Sequence, residues 1–293
     1  MIARDLSRNP IVEKEYRTRM RTWRSSCALM ACVLIVGGIG WSIFALISGI
    51  TARYNLSNTV NYGLVLFIVL LFFQEAVLTF ITPALTAGAI TGERERQTLD
   101  LLLCAPISAV GLLWGKLIGS MAYVVLVLAV LGPMFSLTLL FGGVALHQIV
   151  IGLAVTVVSA LTIASVGLFF STLFRRTIPA MVLAYIATFV LVVGVLVGGY
   201  VYQWARMVGT YGSSTSNSYT NAVLITDISP AVAFIALSTE DSGSTTFQTV
   251  PDGPFKGWTY WEFNLAVNGL LCLCAFGGST LLLAPGRGAP WRS

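Results

Sequence analysis

Apolar residues run together along most of this chain instead of alternating with polar ones. Six stretches, roughly 27–50, 61–90, 115–141, 148–174, 178–203 and 262–284, are almost wholly apolar. Each reaches or passes the ~20 residues that a helix needs to cross a bilayer core. Transmembrane barrel strands are shorter and alternate in polarity, so the pattern predicts helices. The second and third stretches are longer than one crossing needs, which predicts tilt, a kink or continuation beyond the hydrocarbon. Pro83 and Pro133 are the kink candidates. Polar sequence is left over in four places: residues 1–26, a loop at 91–114, short links around the fourth stretch, and a long segment at 204–261.

Composition turns these runs into a fold class. Of the 293 residues, 56% are hydrophobic and 10% charged, with a mean hydropathy of +0.85. Soluble domains carry about 25% charged residues, so this chain lacks the polar groups to hydrate a globule. Disorder is excluded by the same hydrophobicity. The expectation is an all-α integral membrane protein, a single transmembrane domain over 1–293 with six transmembrane helices. No cleavable signal is read at the start. The first apolar run follows 26 residues of mixed charge, exceeds the length of a signal core and lacks a small-x-small exit.

Charge sets the expected orientation. With the N-terminus inside, the cytoplasmic side holds Arg4, Arg8, Lys14, Arg17, Arg19, Arg21, Arg24, Arg94, Arg96, Lys116, Arg175, Arg176, Arg287 and Arg292, which is 14 of the 17 Lys and Arg. Arg53, Arg206 and Lys256 are left outside. The expected location is the plasma or inner membrane, multi-pass, with both termini cytoplasmic. The net charge of +5 then faces anionic lipid and cytoplasmic partners, and no nucleic acid is needed to explain it.

The polar pieces have patterns of their own. Asn9-Pro10 reads as a helix cap followed by a proline, and Val12, Tyr16, Met20, Trp23 and Cys27 then fall on one face. Lys14, Arg17, Arg21 and Arg24 take the other faces, so residues 1–26 predict an amphipathic interfacial helix. In the outer segment 204–261, residues 228–237 are apolar but too short to span, which predicts a short re-entrant or interfacial helix before the sixth span. Trp258, Tyr260 and Trp261 mark the interface where that span begins.

Inside the membrane, Glu75 heads a stripe continued by Thr79, Thr82 and Thr86, with a weaker stripe of Thr156, Ser159 and Thr162 on the fourth span. A carboxylate at that depth is costly and faces a bundle interior or a water-filled path. Two readings stay open: helix–helix hydrogen bonding, or a translocation path lined by Glu75, Thr79 and Thr82. Gly111, Gly115 and Gly119, and separately Gly194 and Gly198, offer close helix-packing faces. His147 is placed in a loop between spans. Cys27, Cys32, Cys104, Cys272 and Cys274 contain no C-x-x-C, and no metal site or disulfide framework is expected.

The loop at 91–114 carries the most information. In Gly92-Glu93-Arg94-Glu95-Arg96-Gln97-Thr98-Leu99-Asp100-Leu101-Leu102-Leu103 a charged cluster leads into an apolar patch. Leu99, Leu102, Leu103 and Pro106 share one side of a short helix, and leucines of that kind have no place on a free loop. Residues 82–103, followed by Pro106-Ile107-Ser108 and Gly115-Lys116-Leu117, resemble the permease subunits of type-2 ABC transporters. The opening Asn9-Pro10-Ile11-Val12, the six spans and the long outer segment fit the same family.

The resemblance implies that residues 93–103 form a cytoplasmic coupling helix between spans 2 and 3, with Glu93, Arg94, Glu95, Arg96, Thr98, Leu99, Leu102 and Leu103 transmitting motion from a separate ATPase subunit. It also implies a second permease copy or paralogue as partner. ATP and Mg would sit on the partner ATPase, with no cofactor in this chain. Gly111-x-x-x-Gly115-Lys116-Leu117 is not a phosphate-binding loop: it has three residues between glycines where four are needed, and Leu in place of Ser or Thr. The expected function is therefore a non-catalytic permease subunit of an ABC exporter. The alternative is a secondary transporter that uses Glu75. An intramembrane enzyme lacks any catalytic set.

Overall fold

The structure is a computed structural model that describes residues 23–54, 61–98, 109–209, 228–239 and 257–283. Its elements are α1 (Trp23–Tyr54), α2 (Tyr62–Thr86), α3 (Thr91–Glu95), α4 (Ala109–Phe141), α5 (Leu146–Leu173), α6 (Thr177–Phe189), a π-helical turn (Val190–Gly194), α7 (Val195–Gly209), α8 (Pro230–Thr239) and α9 (Tyr260–Leu283). Among the described residues there is no strand. Among the described residues six helical spans are long and apolar enough to cross a membrane: α1, α2, α4, α5, the combined α6–π–α7 and α9. The chain is a multi-pass helical membrane protein.

Apolar side chains gain little by leaving lipid for a protein interior. Close packing and polar contacts must therefore hold the bundle together. The fourth span, α5, is the most deeply enclosed and packs against α9, α2, α6 and α4. Its stripe of small residues makes this possible: Gly152, Thr156, Ser159, Ala160, Ala164, Ser165 and Gly167 are all buried. Gly152 lets Leu71 of α2 come close, and Gly167 does the same for Thr86. Around this axis lie Phe67, Leu71 and Leu78 of α2, Val124, Val127 and Leu131 of α4, and Phe234 of α8. The first span α1 is the least enclosed and leaves Met30, Leu34, Trp41 and Leu46 exposed.

The link from α4 to α5 is short because Gly142 and Gly143 both take left-handed backbone, φ +77° and +85°, which glycine adopts without steric cost. Gly63 at the start of α2 sits so near this turn that a Cβ there would meet the Gly142 carbonyl oxygen at 1.9 Å.

The expected spans match the observed helices to within a few residues at most ends. Pro83 and Pro133 both lie inside their helices. The third span begins earlier than expected, at Ala109. The fifth is not one α-helix but is interrupted by the π turn. His147 is exposed in the first turn of α5 and not in a loop, because that helix starts at Leu146. Among the described residues the Gly194–Gly198 face meets no other helix: a Cβ at Gly194 would find Val190 of its own helix nearest, and one at Gly198 would find nothing within 4 Å. Cys27, Cys32, Cys272 and Cys274 are free thiols.

The short helix before the sixth span exists as α8, opening on Pro230 at its first position, where a missing N–H costs nothing. It is seated inside the bundle, with Phe234 and Leu237 fully buried. Gln148 donates from Nε2 to the Leu237 carbonyl (3.1 Å), and Ser229 Oγ donates to the Val192 carbonyl in the π turn (2.8 Å). Asn264 and Asn268 of α9 both donate from Nδ2 to the Ile228 carbonyl (3.1 and 3.2 Å). The amphipathic helix expected over 1–26 falls outside the described residues up to residue 22; Trp23 and Cys27 belong to α1.

Candidate functional site

Between the second and third spans the chain makes a compact turn whose first charged groups, Glu93, Arg94 and Glu95, are spent on the rest of the bundle. The five-residue helix α3 presents free N–H groups at its start, as every helix does. Ser171 of α5 caps them: its Oγ accepts from Ile90 N (2.9 Å) and Thr91 N (3.2 Å). In return, Arg94 serves the C-terminal end of α5, where Ser171 also lies. Its guanidinium donates to the carbonyls of Phe174 (2.8 Å) and Thr172 (3.5 Å), where a cation complements the helix dipole. Glu95 Oε1 accepts the backbone N–H of Thr177 (2.7 Å), placing a carboxylate at the N-terminus of α6. Glu93 Oε1 accepts from Lys116 Nζ of α4 at 2.6 Å, and the two side chains are only 21% and 8% exposed. One turn of helix is thus tied to the ends of three spans.

After Glu95 the chain reverses. Arg96, Gln97 and Thr98 are exposed, and Gln97 adopts a left-handed φ of 57°. A helix running unbroken over 93–103 is therefore not what forms: α3 starts at Thr91 and stops at Glu95, because left-handed backbone at Gln97 cannot continue it. Leu99, Leu102 and Leu103 lie outside the described residues.

A second polar region runs through the middle of the bundle. Glu75 is 3% exposed, and Ser159 Oγ of α5 donates to its carboxylate at 2.8 and 3.0 Å. Thr79 Oγ1 donates to the Glu75 carbonyl (2.8 Å), and Thr86 Oγ1 to the Thr82 carbonyl (3.0 Å). Neither polar atom of the buried Gln74 amide, nor Thr82 Oγ1, has a hydrogen-bond partner among the described residues. Thr162 Oγ1 donates to the Asn268 carbonyl (2.9 Å), and Ser165 shares a hydrogen bond with Cys272 (3.2 Å). Glu75, Thr79 and Thr82 are all buried within the protomer. Among the described residues no three His, Cys, Asp or Glu side chains come together as a metal site would require.

The family model described as ABC-2 family transporter protein matches residues 10–273, about nine-tenths of the chain. The chain belongs to the ABC-2 transporter family. In this ABC-2 protein the matched region contains the turn and five whole spans, and ends within α9. Comparison with individual curated proteins finds no match.

Several residues of this ABC-2 chain's turn escaped sequence reasoning. Lys116 enters the sequence reading as an inside cation and as part of Gly115-Lys116-Leu117, with no partner assigned, although a lone Lys near the start of an apolar span is itself a signal that a carboxylate faces it. Ser171 and Thr177 gave no signal, since Ser and Thr are common in such helices and usually bond their own backbone. The Glu75–Ser159 pair joins the polar stripe of the second span to that of the fourth, a link that neither stripe reveals alone.

Proposed function

We propose that this chain is the permease subunit of an ATP-driven ABC exporter, forming half of a translocation path and coupled to a separate ATPase subunit through the turn at 91–114. The observation that carries the reading is the turn itself: it is fastened by α3 to α4, α5 and α6 and offers Arg96, Gln97 and Thr98 outward. A partner that pushes on such a turn moves three spans. The subunit is non-catalytic, with ATP and Mg on the partner, and lies in the plasma or inner membrane with the turn and both termini cytoplasmic.

A second permease copy or a paralogue completes the path. Exposed apolar side chains on α1 and along the fifth span, among them Trp41, Leu46, Val182, Ile186 and Trp204, suit lipid or that second half. Glu75 serves first as a buried link to Ser159, so the secondary-transporter reading gains no support from its position.

The test is a pull-down of the neighbouring ATPase by the full-length permease at equal membrane abundance. Leu99→Asp puts a carboxylate on the proposed docking face, at a cost on the order of a few kcal/mol if that face is buried. It should abolish capture while the spans stay folded, and Glu75→Gln should leave capture intact. Retention of the ATPase by Leu99→Asp together with its loss in Glu75→Gln would show that the transmission point is elsewhere.

A further inference from the structure

The charges in the turn between spans two and three read at first as docking contacts for a partner. Their positions say otherwise. Glu93 is turned onto Lys116, Arg94 onto the C-terminal carbonyls of α5, and Glu95 onto the N-terminus of α6. Ser171 is fully buried and holds two backbone N–H groups at the start of α3. Glu95 and Arg96 are both exposed, but Glu95 is engaged with Thr177, and among the described residues Arg96 shows no bond of this kind.

From this arrangement we propose that Lys116 and Ser171 are positioning residues that, with Glu93, Arg94 and Glu95, key the turn to spans three, four and five, so that the turn's charges transmit displacement inward and do not bind the partner. The proposal rests on the permease reading given above.

First, the links are directional and together join α3 to three helices: Glu93 to α4, Arg94 and Ser171 to α5, and Glu95 to α6. A shift of the turn therefore cannot be absorbed by one loose contact; it is delivered to the start of α4, the end of α5 and the start of α6 together. Secondly, the Glu93–Lys116 pair is largely withdrawn from water, and reversing the charge of either member places like charges against each other there. An exposed docking charge would instead mainly alter association rate and salt dependence. Glu93 Oε2, buried and without a hydrogen-bond partner among the described residues, fits the same picture, since the carboxylate is directed into the junction and away from solvent.

Charge reversal separates the two roles. Glu93→Lys, Lys116→Glu and the double exchange are made in the full-length chain on a cysteine-free background, with spin labels at positions 97 and 178, both exposed in this structure. Two quantities are read at equal membrane abundance: the 97–178 distance distribution with and without nucleotide, and capture of the ATPase subunit. Glu93→Gln is the conservative control, since its amide oxygen can still accept from Lys116.

Each single reversal is expected to deplete the compact distance population about tenfold or more, equivalent to about 1.4 kcal/mol, and to lose the nucleotide response while still capturing the ATPase. The double exchange should restore both the distance and the response. Ser171→Ala should broaden the distribution with capture unchanged. Wild-type distances in the single reversals, or loss of the ATPase that the double exchange does not repair, would overturn the proposal. If the wild-type chain captures no ATPase, the permease reading fails and the transmission role falls with it, whereas the distances in the isolated chain still report whether the keying exists.

Discussion

Replacing Gly167 by alanine tests whether contact distance, and not hydrophobicity, holds this bundle together. A Cβ at Gly167 would lie 2.0 Å from Thr86 Oγ1 and 3.0 Å from Thr86 Cβ. Ordinary contact between carbon and oxygen is about 3.2 Å or more, so α2 and α5 must part by roughly 1 Å at this point, or Thr86 must rotate. Rotation breaks the Thr86 Oγ1 bond to the Thr82 carbonyl and leaves the Cβ contact in place. Overpacking of this kind costs about 1–3 kcal/mol.

The damage should spread one turn along. Ser171 lies four residues beyond Gly167 and reaches Ile90 N at 2.9 Å. An opening of about 1 Å takes that bond beyond the ~3.2 Å limit of an ordinary N–H···O contact, so the N–H groups at the start of α3 lose their cap.

The assay is thermal unfolding of the purified full-length protein, where 1–3 kcal/mol corresponds to a fall of several degrees, at about 2–4 °C per kcal/mol for a domain of 150–250 residues. Gly198→Ala is the control. Among the described residues a Cβ there would meet nothing within 4 Å, so the substitution should be neutral or slightly stabilising through helix propensity. Combining Gly167→Ala with Thr86→Ala should cost less than the two singles added, because the second change removes the atom that clashes. If Gly167→Ala melts with the wild type, or the double variant is simply additive, the close α2–α5 approach does not stabilise the fold as argued.

Other outcomes follow from the same geometry. Ser159→Ala leaves the buried Glu75 carboxyl without its hydroxyl donor and should destabilise by about 1–3 kcal/mol, whereas Glu75→Gln keeps an acceptor for Ser159 and should cost less; equal melting losses would contradict this. Asn268→Ala removes a donor to the Ile228 carbonyl and should speed backbone hydrogen exchange in α8, with exchange in α5 as the internal reference; unchanged α8 rates would refute the anchoring role. Gln97→Gly relieves a left-handed residue and should stabilise slightly, by up to about 1 kcal/mol, while Gln97→Val should destabilise; the reverse order in melting temperature would count against the reversal at 97. With the turn cytoplasmic, an impermeant thiol reagent on intact cells should label a cysteine at 214 and not one at 97, and the opposite pattern would invert the topology.

The sequence by itself determined the fold class, the number of spans and most of their limits. Long unbroken apolar runs admit one solution in lipid, a helix that satisfies its own backbone, and run length sets the count. The charged loop next to leucines was also legible, and with it the family. The short helix before the sixth span could be read from an apolar stretch too brief to cross.

Which way the polar groups point was decided only by tertiary structure. Glu93, Arg94 and Glu95 look like surface charges along the chain, yet their partners Lys116, Phe174 and Thr177 lie roughly 20 to 80 residues away. The same holds for Glu75 and Ser159, and for α8, which is buried because Asn264, Asn268, Gln148 and Ser229 place hydrogen bonds at its ends. Helical periodicity reports which residues share a face, but not which helix that face will meet. In a bundle held by close contact and by hydrogen bonds between distant segments, that choice belongs to the packed whole: small residues such as Gly167 are silent in the sequence until another helix arrives against them.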